Sequence, residues 1–135
     1  MIGTAPIPHL VVNDAEAAID FYTKAFGASL ESKVPHQDGK RLMHAHLTIG
    51  GGPLLLVDDF PEYDGHSAAA SPTRLGGSTS TIHLQVQDAD VAWKRAIDAG
   101  AESVLELQNQ FWGDRYGIVK DPFGHYWSIG SPVKE

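Results

Sequence analysis

An α+β fold made of two βαβββ modules is what this sequence of 135 residues predicts, on three observations. The segment His9-Leu10-Val11-Val12-Asn13-Asp14-Ala15 recurs as His83-Leu84-Gln85-Val86-Gln87-Asp88-Ala89, just past the midpoint of the chain. Amphipathic helix follows each copy in the same phase: Ala15, Ala18, Ile19, Tyr22 and Phe26 in the first, Ala89, Ala92, Trp93, Ala96 and Gly100 in the second. After each helix come three segments with strand periodicity, separated by turn residues. Neither half is long enough to bury an adequate core alone, so the two fold as one unit and the natural site lies between them.

The elements follow in order. Ile7–Val12 reads as the first strand, separated from the preceding residues by Pro6 and Pro8. Asn13 with Glu16 three residues later has the form of a capping box, opening a helix that runs to about Phe26 and stops at Gly27. Ser29–Val34, Arg41–Ile49 and Leu54–Asp58 are the remaining strands of the first module, which spans about residues 5–58. Residues 59–78 have no periodicity and are rich in Pro, Ala, Ser and Gly, the composition of a tether between modules or of a lid. The acidic residues Asp58, Asp59, Glu62 and Asp64 at its start read as a solvated loop in preference to a cation site. The second module, about 79–131, has strands at Thr81–Gln87, Glu102–Leu107, Tyr116–Lys120 and His125–Ile129, with Asp121-Pro122-Phe123-Gly124 as a turn.

Composition removes several classes of function. A net charge of −7 and only two adjacent Lys/Arg pairs do not provide the basic surface that nucleic acid needs. With no cysteine there is no disulfide, thiolate metal site or cysteine nucleophile. No stretch has the length and apolarity of a signal peptide or membrane span, so a cytoplasmic protein with no membrane partner is expected. Phosphate-binding loops, nucleophile elbows and closely spaced histidine–carboxylate zinc motifs are missing as well.

Alternation along the strands assigns the two faces of each sheet. Ile82, Leu84 and Val86 lie under the second helix, which turns Thr81, His83 and Gln85 to the other side. By the same parity His9, His44, His46 and Thr48 point away from the first helix, while Met43, Ala45, Leu47 and Ile49 point toward it. Tyr126 and Ser128 fall on the polar face and Trp127 in the core. The expectation is a curved mixed sheet, U-shaped around a central cup lined by polar groups.

Two further stretches carry a family likeness: Ile19-Asp20-Phe21-Tyr22-Thr23-Lys24-Ala25-Phe26-Gly27-Ala28, and Phe111-Trp112-Gly113-Asp114-Arg115-Tyr116-Gly117 running into Asp121-Pro122-Phe123-Gly124-His125-Tyr126-Trp127. With the repeat, they make the sequence resemble the vicinal oxygen chelate superfamily of glyoxalase I, extradiol dioxygenases and bleomycin resistance proteins, and its PhnB-like branch most of all. The resemblance covers nearly the whole chain. It implies the cup-forming fold, a homodimer with modules side by side or exchanged, and in catalytic members a divalent metal held by four strands. The four metal positions implied for this chain are Ile7, Leu56, Thr81 and Ser128. Ile and Leu have no donor, and neutral hydroxyls are weak ligands for Zn, Fe, Ni or Mn.

The expected function is therefore binding of a small organic molecule, aromatic or anionic, in the cup without metal or other cofactor. Its candidate contacts are His9, His46, His83, Trp112, Arg115, Tyr116, Tyr126 and Ser128. Trp112, Arg115 and Tyr116 offer stacking and a bidentate guanidinium; the alternative for Arg115 is a structural pairing with Asp114 or Asp121. His9 and His83 are either a symmetric pair at the floor of the cup or structural residues, and His125 is structural. His36, His44 and His66 have no evident partner. The alternative function is an enzyme of the same superfamily, a lyase, isomerase or dioxygenase, using acid–base chemistry at His9 or His83 or a metal on His9, His46 and His83. That metal site needs a displacement of about 7 Å along the strands from the usual positions.

Overall fold

A computed structural model describes residues 3–63 and 69–134. The first module comprises β1 (His9–Val12), α1 (Ala15–Phe26), β2 (Ser29–Pro35), β3 (Leu42–Ile49) and β4 (Gly52–Asp58). A 3₁₀ turn at Pro61–Tyr63 and the short helix α2 (Pro72–Leu75) occupy the connection, and β5 (Thr81–Gln85), α3 (Ala89–Ala99), β6 (Glu102–Asn109), β7 (Asp114–Lys120) and β8 (Tyr126–Pro132) complete the second module. The strands form two four-stranded mixed sheets, ordered β1-β4-β3-β2 and β5-β8-β7-β6. Each has a parallel pair, β1 with β4 and β5 with β8, and its other pairs are antiparallel. Among the described residues, no helix is long and apolar enough to cross a membrane.

Capping shows the repetition at atomic level and corrects one expectation. The N-cap of α1 is Asp14, whose carboxylate accepts from the Ala17 amide at 3.1 Å, just as Asp88 accepts from Val91 at the start of α3. Asn13 instead accepts a hydrogen bond from the Thr73 hydroxyl on α2, so the capping box does not form. Gly27 ends α1 in the left-handed conformation, φ 70°, where its amide reaches the Thr23 carbonyl while that of Ala28 reaches Tyr22. The first amide of each helix is also held from below: Ala15 by the Asp58 carboxylate and Ala89 by the Ser131 hydroxyl.

One core joins the modules. Leu10, Val12, Ala45, Leu47, Leu54 and Leu56 pack under α1, while Trp127, Ile129 and Val119 occupy the helix side of the second sheet, as alternation requires. Met43 departs from that pattern and is exposed, with Leu42 buried instead, next to a register shift between Val34 and Pro35 on β2. Across the joint, the rings of Tyr22 and Phe26 lie 5.2 and 4.5 Å from Trp127. Asp121 secures this contact. Its Oδ2 accepts from the Tyr22 hydroxyl at 2.5 Å and the Trp127 indole at 2.9 Å, and its Oδ1 takes the amides of Phe123 and His125. Burial and the adjoining carboxylate push the Tyr22 phenol well above its ordinary pKa, so it stays a donor. His125, expected to be structural, donates from Nε2 to the Val11 carbonyl 2.8 Å away and ties β1 to the turn before β8.

The acidic residues after β4 do not form a solvated cluster. Asp58 is buried and accepts from the amides of Ala15 and Leu42; burial raises its pKa while those two donors oppose the rise. Asp59 is paired with Arg74, Glu62 with Arg41, and both carboxyls are thereby held down to about 2. Asp64 and His66 lie outside the described residues. His36 has partners that sequence did not reveal: the Tyr63 hydroxyl at 3.1 Å and the Phe60 ring.

Candidate ligand-binding face

The strand register lays out each polar face in rows. On the second sheet, His83, Ser128, Ile118 and Leu105 share one row, and Gln85, Gly130, Tyr116 and Gln108 the next. Ser128 donates to His83 Nδ1 at 2.8 Å, and Gln85 Oε1 lies 2.8 Å from Nε2. Since the amide oxygen only accepts, Nε2 donates to it, and both ring nitrogens are engaged. The imidazole stacks on Tyr116 with centroids 5.9 Å apart and planes at 19°. Gly130 makes that possible: a Cβ there would come within 3.1 Å of His83 Cε1 and 3.5 Å of Tyr116 Cδ2.

From Tyr116 the ring series continues outward. Trp112 meets Tyr116 edge-on at 5.5 Å, and Phe111 meets Trp112 edge-on at 5.1 Å. Phe111 is 96% exposed and Trp112 50%, so this hairpin tip holds a large apolar area in water. The tip is also fixed. The Gln110 amide donates to the Asp114 carbonyl, Gly113 donates back to Gln110, and the Trp112 indole donates to Asp114 Oδ2. A cavity of about 510 Å³ adjoins the open edge of β5, lined chiefly by Phe26, Leu84, Val86, Ala92 and Ile129, together with His83. That volume is within the range of small-molecule sites.

The structure thus brings together His83, Ser128, Tyr116 and Trp112 and separates the other expected contacts from them. Arg115 points to the helix side, where its guanidinium pairs with Asp90 on α3 through Nε and an Nη and reaches Asn109; its partner is neither Asp114 nor Asp121. Odd and even positions of β7 face opposite ways, so the guanidinium cannot share a ligand with the Tyr116 ring. Tyr126 lies on the polar face beside Lys120, at the α2 end of the sheet. His9 and His46 belong to the first sheet, in a row with Leu55 between them. Phe111 is the residue that sequence reasoning passed over; its signal was an apolar ring placed before Trp112-Gly113 in a turn.

The metal positions fail on donor chemistry. Leu56 is fully buried on the helix side, opposite Ala45, which corrects its expected placement on the cup face; Leu55 and Val57 occupy that face of β4. Ser128 is 2% exposed and its hydroxyl is committed to His83. Ile7 has nothing to coordinate with and Thr81 only a neutral hydroxyl. Among the described residues, no three His, Asp or Glu side chains gather as a metal site, so His9, His46 and His83 are not one within a chain.

A family model described as the glyoxalase/bleomycin resistance protein/dioxygenase superfamily matches residues 5–129. The chain belongs to this superfamily. It is 55% identical over 128 residues to the uncharacterized protein Rv0887c of Mycobacterium tuberculosis, covering 95% of this chain and 74% of that one. In structure it is similar to TioX from Micromonospora sp. ML1, at TM-score 0.75 and 28% identity, covering 97% of this chain and all of that one. A PhnB protein from Bacillus cereus, 16% identical, shares the fold at TM-score 0.70 over 95% of this chain and 99% of that one.

Proposed function

We propose that this superfamily member binds a small aromatic molecule on the polar face of its second sheet, without a metal. The observation that carries the reading is the series of rings from Phe111 through Trp112 and Tyr116 to His83, held in place before any ligand arrives. Aromatic rings stack with modest directional preference, and a preset hairpin removes the cost of ordering it on binding. Acid–base catalysis at His83 is the less favoured reading, because both its nitrogens already have partners.

A second copy of the chain is the partner that closes the site. β1 and β5 each pair on one side only, and the polar faces of the two modules are equivalent by the internal repeat. A copy that lays its first module beside this second module completes the cup.

The test uses N-phenyl-1-naphthylamine, a neutral aromatic fluorophore. Saturable binding to the wild type, weakened at least tenfold in Trp112→Ala with an unchanged melting temperature, supports the reading. Equal affinity in that variant removes it. Elemental analysis of protein purified without chelators sinks the metal-free part of the proposal if it finds stoichiometric transition metal.

A further inference from the structure

The polar face of the first sheet carries His9, Leu55, His46 and Ser32 in one row and Val11, Val57, His44 and Val34 in the next. The rings of His9 and His44 approach edge-on, with centroids 6.1 Å apart. Each other histidine of the described residues has a hydrogen-bond partner: His36 has Tyr63, His83 has Ser128 and Gln85, His125 has the Val11 carbonyl. His9, His44 and His46 have none. Three imidazoles without a protein hydrogen-bond partner therefore share one face with Leu55, Val57 and Val11, His9 exposed and His44 and His46 half-buried.

We propose that His9, His44 and His46 form the subsite for an acidic oxygen group of the ligand, a carboxylate, sulfonate or phosphate, so that the ligand class is an aromatic acid. The inference rests on the aromatic-binding reading above, with the second copy supplying the facing module. Imidazole N–H groups donate and an anionic oxygen group only accepts, so the two are complementary. Charges around the face leave room for an anion. Lys33 is turned to Glu16 on the helix side, and Asp38, Arg41 and Glu62 are paired with one another at the β2–β3 hairpin. Glu31 borders the face and is engaged by the Thr48 hydroxyl at 3.0 Å. Burial and the neighbouring His44 lower the pKa of His9, a repulsion that a bound anion relieves. Arg115 does not compete for the role, being bound to Asp90.

The experiment compares 1-anilinonaphthalene-8-sulfonate with N-phenyl-1-naphthylamine, which has the same rings and no acid, at pH 6.0 and low salt. The triple variant His9→Gln, His44→Gln, His46→Gln is expected to bind the sulfonate at least tenfold more weakly and the neutral probe within twofold of wild type. Loss of both probes alike, or of neither, overturns the proposal. Should the triple variant fold poorly, imidazole resonances of the labelled wild-type chain decide. Those of His9, His44 and His46 shift with the sulfonate and stay fixed with the neutral probe if the proposal holds, and shift alike with both if it fails. Trp112→Ala separates the two ideas: unchanged affinity for the neutral probe sinks the aromatic reading, while selective loss of the sulfonate in the triple variant still upholds the histidine subsite.

Discussion

The polar faces of the two sheets descend from one pattern and have diverged in what they leave free. His9 and His83 are equivalent, as are Leu55 and Ser128, Val57 and Gly130, and His44 and Tyr116. In the second sheet the histidine is held by Ser128 and Gln85 and stacked on Tyr116 across a glycine. In the first, Leu55 offers its histidine no partner, and Val57 stands where the second sheet has Gly130. A few side-chain changes on one backbone thus turn a hydrogen-bonded aromatic platform into a face of uncommitted imidazoles. In the assembly proposed above, a ligand would meet stacking on one side and donors on the other.

The comparison can be broken first at its premise, that Leu55 faces outward and Leu56 inward. Leu56→Ala should cost about 3 kcal/mol in denaturant unfolding, as for other fully buried leucines, and Leu55→Ala less than about 1 kcal/mol. Similar costs for the two would mean the register of β4 is misplaced. Gly130→Val, which gives the second sheet the residue of the first, should cost about 1–3 kcal/mol through overpacking against His83 and Tyr116. It should also weaken binding of the neutral probe at least fivefold, measured by fluorescence titration. Ser128→Ala removes the donor to His83 Nδ1 and should cost about 1 kcal/mol, read from chemical denaturation. An unchanged stability would show that His83 does not depend on that bond.

The smallest effect concerns the connection, which is clasped to the first module through Glu62 and Arg41. The pKa of Glu62 is depressed to about 2, so the pairing contributes stability above the ordinary carboxylate range and loses it as pH falls through about 2. Melting temperatures of wild type and Glu62→Gln should therefore differ slightly at pH 6 and coincide near pH 2. A difference that persists in acid would assign the effect to packing.

Much of this was legible in the residues. The repeat placed α1, α3 and all eight strands, and alternation placed most inner and outer faces, Met43 and Leu56 excepted, because strand parity and helical phase are local properties that burial then enforces. The second sheet's His83, Tyr126 and Ser128 could be placed on a common face for the same reason. Arg115 could not be placed beside Asp90, nor Asp59 beside Arg74, because charge pairing depends on elements distant in the chain. The capping position was missed by one residue, since Asn13 and Asp14 are both good caps and only contact with Thr73 distinguishes them.

By itself the sequence determined a duplicated α+β module, which follows from residue type and spacing, while its superfamily was read from the resemblance of its motifs to known members. The tertiary structure alone decided which polar groups have partners. Asp121 is consumed in joining the modules, Arg115 in holding α3, and His83 in its own sheet, while His9, His44 and His46 are left open. The physical reason is that a hydrogen bond requires two groups within about 3 Å, and for residues on separate strands and helices only the folded chain sets that distance.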